Sequence, residues 1–125
     1  DVCSSDLGVP LLAGTDCGVS NNYVMPGWSI HEELALLVET GFTPAEAIRT
    51  ATSNPARWRG AEATEGALAQ GMKADLLLLR ANPLTAIGAT RELETLILGG
   101  RLFSRSQLDA MLNAAARRVA QSKTP

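Results

Sequence analysis

GVPLLAGTD, at residues 8–16, is the stretch of sequence that indicates the fold class most directly. Its first six residues form an apolar run without polar alternation. Such a run is typical of a strand that is buried on both faces, as in a parallel sheet. Because Gly14, Thr15 and Asp16 end the run, the stretch predicts a parallel strand of an α/β protein with an aspartate at its carboxyl end.

Helix signals follow this strand. Ser29 with Glu32, and Thr43 with Glu46, have the spacing of capping boxes at helix N-termini. A third, short helix is predicted to begin near Ser53. The order of one strand followed by several helices fits a unit of an α/β protein.

Smaller strands and a last helix are predicted after residue 60. The segment 74–79, with four consecutive leucines, is expected to be a strand buried on both faces, and 93–98 a second strand. Gly99-Gly100 has the form of a two-residue hairpin turn. Ser106 is expected to cap a final amphipathic helix with its apolar face in 108–119.

Composition excludes several classes of function. The 125 residues amount to one domain or to part of a larger one. A net charge of −2 gives no reason to expect nucleic acid or an anionic membrane as partner. No apolar run approaches the roughly 18 residues of a membrane span. Two cysteines make no disulfide framework, and one histidine cannot form a metal site that needs several imidazoles.

Asp16 is the first candidate for chemistry. Barrel enzymes place catalytic groups at the carboxyl ends of parallel strands, where an aspartate can bind a metal ion and accept a proton. An aspartate in this position can equally cap a turn of the loop that follows. The residues alone leave both interpretations open.

His31 is the second candidate, in the first turn of the first predicted helix. It would either face a substrate across the loop from Asp16 or be a partly exposed helix residue that bonds the loop. Glu32 is better explained as the capping partner of Ser29. Cys17 has no imidazole partner other than His31, so a catalytic thiol is not expected.

Several motifs in order resemble a known family. They are GVPLLAGTD (8–16), SIHEELALLVETG (29–41), TPAEAIRTATSNPARWRG (43–60), GALAQGMKADLLLLRANP (66–83) and SRSQLDAM (104–111). Together they resemble the C-terminal third of metal-dependent amidohydrolases, particularly the imidazolonepropionase-like and prolidase-like branch. The resemblance extends over nearly all of residues 8–120.

The resemblance implies a fold and a role for Asp16. Residues 8–62 would supply the last strand and helices of a (β/α)8 TIM barrel, residues 63–105 the C-terminal part of a small β-sandwich domain, and residues 106–125 a C-terminal helix and tail. Asp16 would be a catalytic residue and a ligand of zinc or another divalent metal. His31 is a candidate substrate-binding residue, although the resemblance itself assigns it no role. Asp75 would be structural.

The family's other metal ligands would lie upstream of this sequence. We therefore expect a truncated chain that is inactive and unstable alone. The heptapeptide at 1–7, DVCSSDL, matches the translation of a sequencing adaptor and is expected to be an artefact. Localisation stays open, with the cytoplasm slightly favoured, because a signal peptide would be lost with a missing N-terminus.

The function implied for the full-length parent is hydrolysis of a C–N bond by metal-activated water. Its substrate would be a small molecule or a peptide, namely a cyclic amide, a peptide or an acyl-amino acid, and the parent could form a homo-oligomer. The alternative is a non-catalytic interaction module that binds a partner through the helix at 108–119. An open reading frame that continues upstream would favour the enzyme.

Overall fold

The structure is a computed structural model that describes residues 9–18 and 23–122. The chain is α/β, with a group of three helices, a small sheet and a C-terminal helix. Its elements are α1 (Ser29–Glu39), α2 (Pro44–Ala51), α3 (Ser53–Trp58), β1 (Leu76–Leu79), a 3-10 helix (Ile87–Arg91), β2 (Leu93–Leu98), β3 (Arg101–Ser104) and α4 (Arg105–Ser122).

Helix α2 begins as the sequence predicts. The Thr43 hydroxyl accepts a hydrogen bond from the backbone N–H of Glu46, and Glu46 Oε2 accepts one from the backbone N–H of Thr43 at 2.8 Å. The Thr43 hydroxyl also donates to Glu46 Oε2 at 2.6 Å, and this hydrogen bond, together with the one from the Thr43 N–H, lowers the pKa of the Glu46 carboxyl. The capping box at Thr43 is confirmed.

The capping box predicted at Ser29 is not formed. A turn from Met25 leads directly into α1, and the Ser29 N–H donates to Met25 O at 3.0 Å. The Ser29 hydroxyl accepts from Met25 N at 2.9 Å, while Glu32 accepts from Trp28 Nε1 at 3.3 Å. Because the preceding turn already satisfies these groups, the first turn of α1 needs no reciprocal cap.

The predicted strand that begins at residue 8 is not formed over the part that the structure describes, from Val9 onward. A parallel strand needs a neighbouring strand to accept and donate its backbone hydrogen bonds. Here the segment lies against helices instead, since Ala13 N donates to Thr50 O at 3.0 Å and Asn54 Nδ2 donates to Leu11 O at 2.9 Å.

The sheet is antiparallel, in the order β1-β2-β3. The hairpin between β2 and β3 is confirmed at Gly99-Gly100, where both residues have positive φ values, 57° and 77°. Asp75 Oδ1 accepts from Gly99 N at 2.6 Å, and Gly100 N donates to Ala74 O at 3.0 Å. These bonds tie the start of β1 to the hairpin.

The expectation that the leucine strand is buried on both faces is wrong for the described chain. Leu77 and Leu78 are 58% and 59% exposed. Successive side chains of a strand point to opposite faces, so exposed leucines occur on both faces of the sheet. The reason is that the described residues do not pack closely enough over either face of β1 to bury these two leucines.

Helix α4 begins at Arg105, and the predicted cap at Ser106 lies inside it. Ser104 makes the capping bonds, because its N–H donates to Gln107 Oε1 at 2.9 Å and its hydroxyl accepts from Gln107 N at 3.4 Å. Arg105 ties the helix to the sheet by donating to Leu93 O at 3.0 Å.

Buried apolar side chains are few in the described part of the chain. They are Leu34, Ala47, Ala56 and Ala89, and three of the four are alanines. Long apolar residues lie instead at the surface, as Leu68 does with 83% exposure. Within the described ranges, no helix combines the length and apolar character needed to cross a bilayer.

Candidate functional site

Asp16 lies at the surface, two residues after Gly14, whose amide is hydrogen-bonded. Its φ of +46° makes it the one non-glycine residue with positive φ among those described. Aspartate is among the side chains that tolerate the left-handed region best, yet such a conformation is uncommon and is found more often at functional sites. The carboxylate is solvent-exposed.

One side chain of α1 holds the turn before Asp16. The backbone N–H of Gly14 donates to Glu33 Oε1 at 2.7 Å. Together with the bonds from Ala13 to Thr50 and from Asn54 to Leu11, this contact attaches the segment to three helices. The residue pattern does not reveal this contact of Glu33, because the partner is a backbone amide, which every residue except proline has.

His31 packs where α1 meets the 3-10 helix. Its ring makes an edge-to-face contact with Trp28 at a centroid distance of 6.4 Å, and the Arg91 guanidinium lies 5.3 Å from the Trp28 ring centroid. Nδ1 of His31 is buried and has no hydrogen-bond partner among the described residues. Burial and the nearby charge of Arg91 lower the pKa of the His31 imidazole.

The structure places the two predicted site residues on different sides of α1. Glu33, which contacts the Asp16 segment, follows His31 by two positions, and two positions on an α-helix differ by about 200°. His31 lines instead an open groove of about 800 Å³ between the helices and β1. The groove is mainly apolar, with Ile30, Leu34, Ile48 and Leu76 on its walls.

A loop next to α3 lines part of this groove. Glu65 forms ion pairs with Arg59 and Lys73, and both hydrogen bonds lower the pKa of the Glu65 carboxyl. Gly66, with φ of +85°, approaches α3 so closely that a Cβ would lie 2.7 Å from the Cβ of Ala56. These contacts stabilise the fold, and none of them joins a nucleophile to a base.

Metal ligands do not cluster in the part of the chain that the structure describes. Residues 9–18 and 23–122 contain no group of three or more His, Cys, Asp or Glu side chains that could hold an ion. Cys17, next to Asp16, is exposed and free. Asp16 can therefore contribute one ligand but does not complete a site with its described neighbours.

Comparison with known proteins identifies the family of this α/β chain. The sequence profile of the amidohydrolase family matches residues 3–103. The match covers most of the chain and includes Asp16. The chain belongs to the amidohydrolase family, as the motif order predicted.

Two curated relatives are similar to most of the chain. An ochratoxinase from Aspergillus niger is 37% identical over 101 residues, which cover 77% of this chain and 20% of the relative. An imidazolonepropionase from Geobacillus kaustophilus is 34% identical over 105 residues, with 78% and 23% covered. The chain thus spans about a fifth of the length of these curated relatives.

Solved structures agree with this assignment. A prolidase-like protein from Bifidobacterium longum aligns with a TM-score of 0.72 and 35% identity, covering 90% of this chain and 29% of that one. A molinate hydrolase aligns with a TM-score of 0.67 and 27% identity, covering 78% and 24%. The predicted imidazolonepropionase-like and prolidase-like relationship is confirmed.

Proposed function

We propose that this chain acts as part of a longer metal-dependent hydrolase that cleaves a C–N bond. The observation that carries the proposal is the family match over residues 3–103, which includes Asp16 in its left-handed turn. The names of the relatives, an ochratoxinase, an imidazolonepropionase and a prolidase-like protein, support a small molecule or a peptide as substrate.

We further propose that residues 8–62 belong to the last part of a (β/α)8 barrel and residues 63–105 to a β-sandwich. In a barrel, residues 9–12, which precede the turn at Gly14, would gain strand neighbours on both edges. Exposure of Leu77 and Leu78 supports a partner layer over the sheet, since strands with apolar residues on both faces are usually covered on both. Residues 106–125 would add the C-terminal helix.

Asp16 is the proposed catalytic residue and metal ligand. Its exposed carboxylate suits an oxygen ligand of zinc or another divalent ion, and the remaining ligands would come from outside the described residues. When bound, such an ion polarises a carbonyl and lowers the pKa of water. The task of Asp16 itself is to accept a proton from the attacking water and to pass it to the departing nitrogen.

A substrate contact of His31 stays a prediction that the described contacts do not support. Its ring lies between Trp28 and the groove, on the side of α1 away from the Asp16 segment. Its surroundings favour the other interpretation, a helix residue that packs at the junction of α1 and the 3-10 helix.

The variant Asp16→Asn in the full-length protein tests the proposed function. We expect hydrolysis of acyl-amino acid, dipeptide and cyclic amide substrates to fall by about 10²–10⁴-fold, the usual contribution of a general acid–base. Metal content measured by atomic emission should fall with it, while the circular dichroism spectrum stays unchanged. Glu39→Gln, an exposed carboxylate of α1, is the matched control. Activity of Asp16→Asn within threefold of wild type would refute the role.

A second candidate function is a non-catalytic interaction module. It is favoured by the apolar side chains that α4 exposes, with Met111 59% and Leu112 65% exposed. Exposed apolar patches commonly mark sites of protein contact. A full-length protein without hydrolase activity, whose binding to a partner is lost in the double variant Met111→Ser/Leu112→Ser, would support the module instead of the enzyme.

A further inference from the structure

The carboxylate of Glu33 lies in direct contact with the backbone that leads to Asp16. Glu33 Oε1 accepts the Gly14 N–H at 2.7 Å, a short distance that is typical of a hydrogen bond to a charged acceptor. Gly14 precedes Asp16 by two residues. Glu33 belongs to α1.

Two further hydrogen bonds of this segment lie further from Asp16. Thr50 O accepts from Ala13 N, and Asn54 Nδ2 donates to Leu11 O. The contact with Glu33 is therefore the last of these three along the chain before the left-handed residue. A backbone held in that conformation must be fixed by its surroundings, because the free chain would leave it.

We propose that Glu33 is a positioning residue, which holds the Gly14 amide and thereby fixes the turn that presents the Asp16 carboxylate. This inference rests on the proposed function for its catalytic meaning. Glu33 acts through the backbone, and the Asp16 side chain does the chemistry. The bond requires an acceptor at the Glu33 position, whereas the negative charge only strengthens it.

Three variants of the full-length protein separate the acceptor from the charge. Glu33→Ala removes the acceptor, Glu33→Gln keeps a neutral one, and Glu39→Ala removes another carboxylate from α1 that is exposed and distant in the helix. Two readouts are needed: hydrogen exchange of the Gly14 amide, measured by NMR or by mass spectrometry with residue resolution, and the separate values of kcat and KM.

For Glu33→Ala we expect the Gly14 amide to exchange about 10- to 100-fold faster, as loss of a hydrogen bond to a charged acceptor predicts. We expect kcat to fall at least tenfold while KM changes less than threefold. Glu33→Gln should recover most of the protection and of kcat. Glu39→Ala should match the wild type in both measurements.

The proposal fails if Gly14 exchange in Glu33→Ala equals that in Glu39→Ala, since the contact would then not hold the turn. It also fails if exchange rises while kcat stays at the wild-type value. Failure of the proposed function looks different: the wild-type protein would hydrolyse nothing, or Asp16→Asn would remain active. In that case Gly14 exchange alone decides whether Glu33 holds the turn.

Discussion

Replacement of Gly66 by alanine should destabilise the packing of α3 against the loop that carries Gly66. Gly66 has φ of +85°, and a Cβ built there would lie 2.7 Å from Ala56 Cβ, 2.9 Å from Ser53 Cα and 3.0 Å from Thr52 O. Two of these three atoms belong to the backbone and cannot rotate away. Overpacking of this kind costs about 1–3 kcal/mol, and the left-handed conformation adds about 1–2 kcal/mol for a residue with a Cβ.

Gly60→Ala is the matched control for this experiment. Gly60 also has a positive φ, 68°, but nothing lies within 4 Å of a Cβ built on it. Both variants carry the conformational cost, so the difference between them measures the clash alone. It should amount to about 1–3 kcal/mol.

Native-state hydrogen exchange of the Ala61 amide is a suitable assay, because this N–H donates to Ala56 O at 2.8 Å and reports on the end of α3. The clash should accelerate its exchange in Gly66→Ala by about 5- to 150-fold relative to Gly60→Ala. Adding Ala56→Gly should restore only part of the protection, since Ser53 and Thr52 still oppose the new Cβ. Equal exchange rates in the two single variants would refute the reasoning.

Two further predictions concern pH and the isolated chain. Because burial and the charge of Arg91 lower the pKa of His31 below its ordinary value of 6.5, the unfolded state binds a proton more tightly than the folded state, and the stability of the full-length protein should decrease as pH falls below about 6.5. In that protein, His31→Gln should make the melting temperature depend less on pH between 7.5 and 5.5, and an unchanged dependence would contradict this. The chain alone, with apolar residues such as Leu68 and Leu77 exposed, should aggregate and hydrolyse nothing, whereas a soluble chain with a cooperative melt would disprove it.

Local signals predicted much of the secondary structure. The Thr43 cap, the β2 strand and the Gly99-Gly100 hairpin are each determined by residues close together in sequence, and all three are present. The prediction at Ser29 was wrong because a preceding turn, in which Met25 O accepts hydrogen bonds from the Trp28 and Ser29 N–H groups, leads directly into α1 without the cap. Capping patterns do not reveal such a turn.

Burial was harder to predict than secondary structure. Four consecutive leucines have the composition of a strand buried on both faces, but burial depends on what covers each face. In the described chain, β1 pairs with β2 on one edge only, and Leu77 and Leu78 remain exposed. The sequence pattern correctly predicted strand β1. The burial of its side chains, however, depends on contacts with residues that are distant in sequence.

The position of the candidate site depends on a short piece of chain that is held from two sides. Residues 50–54 join α2 to α3: Thr50 O and the Asn54 side chain bind the segment before Asp16, while Thr52 O and Ser53 Cα meet Gly66. At least one partner in each of these contacts is a backbone atom, which every residue type has, so side-chain patterns do not reveal these contacts. Because one connection receives both contacts, the close approach at Gly66 and the placement of the Asp16 turn are parts of the same packing arrangement.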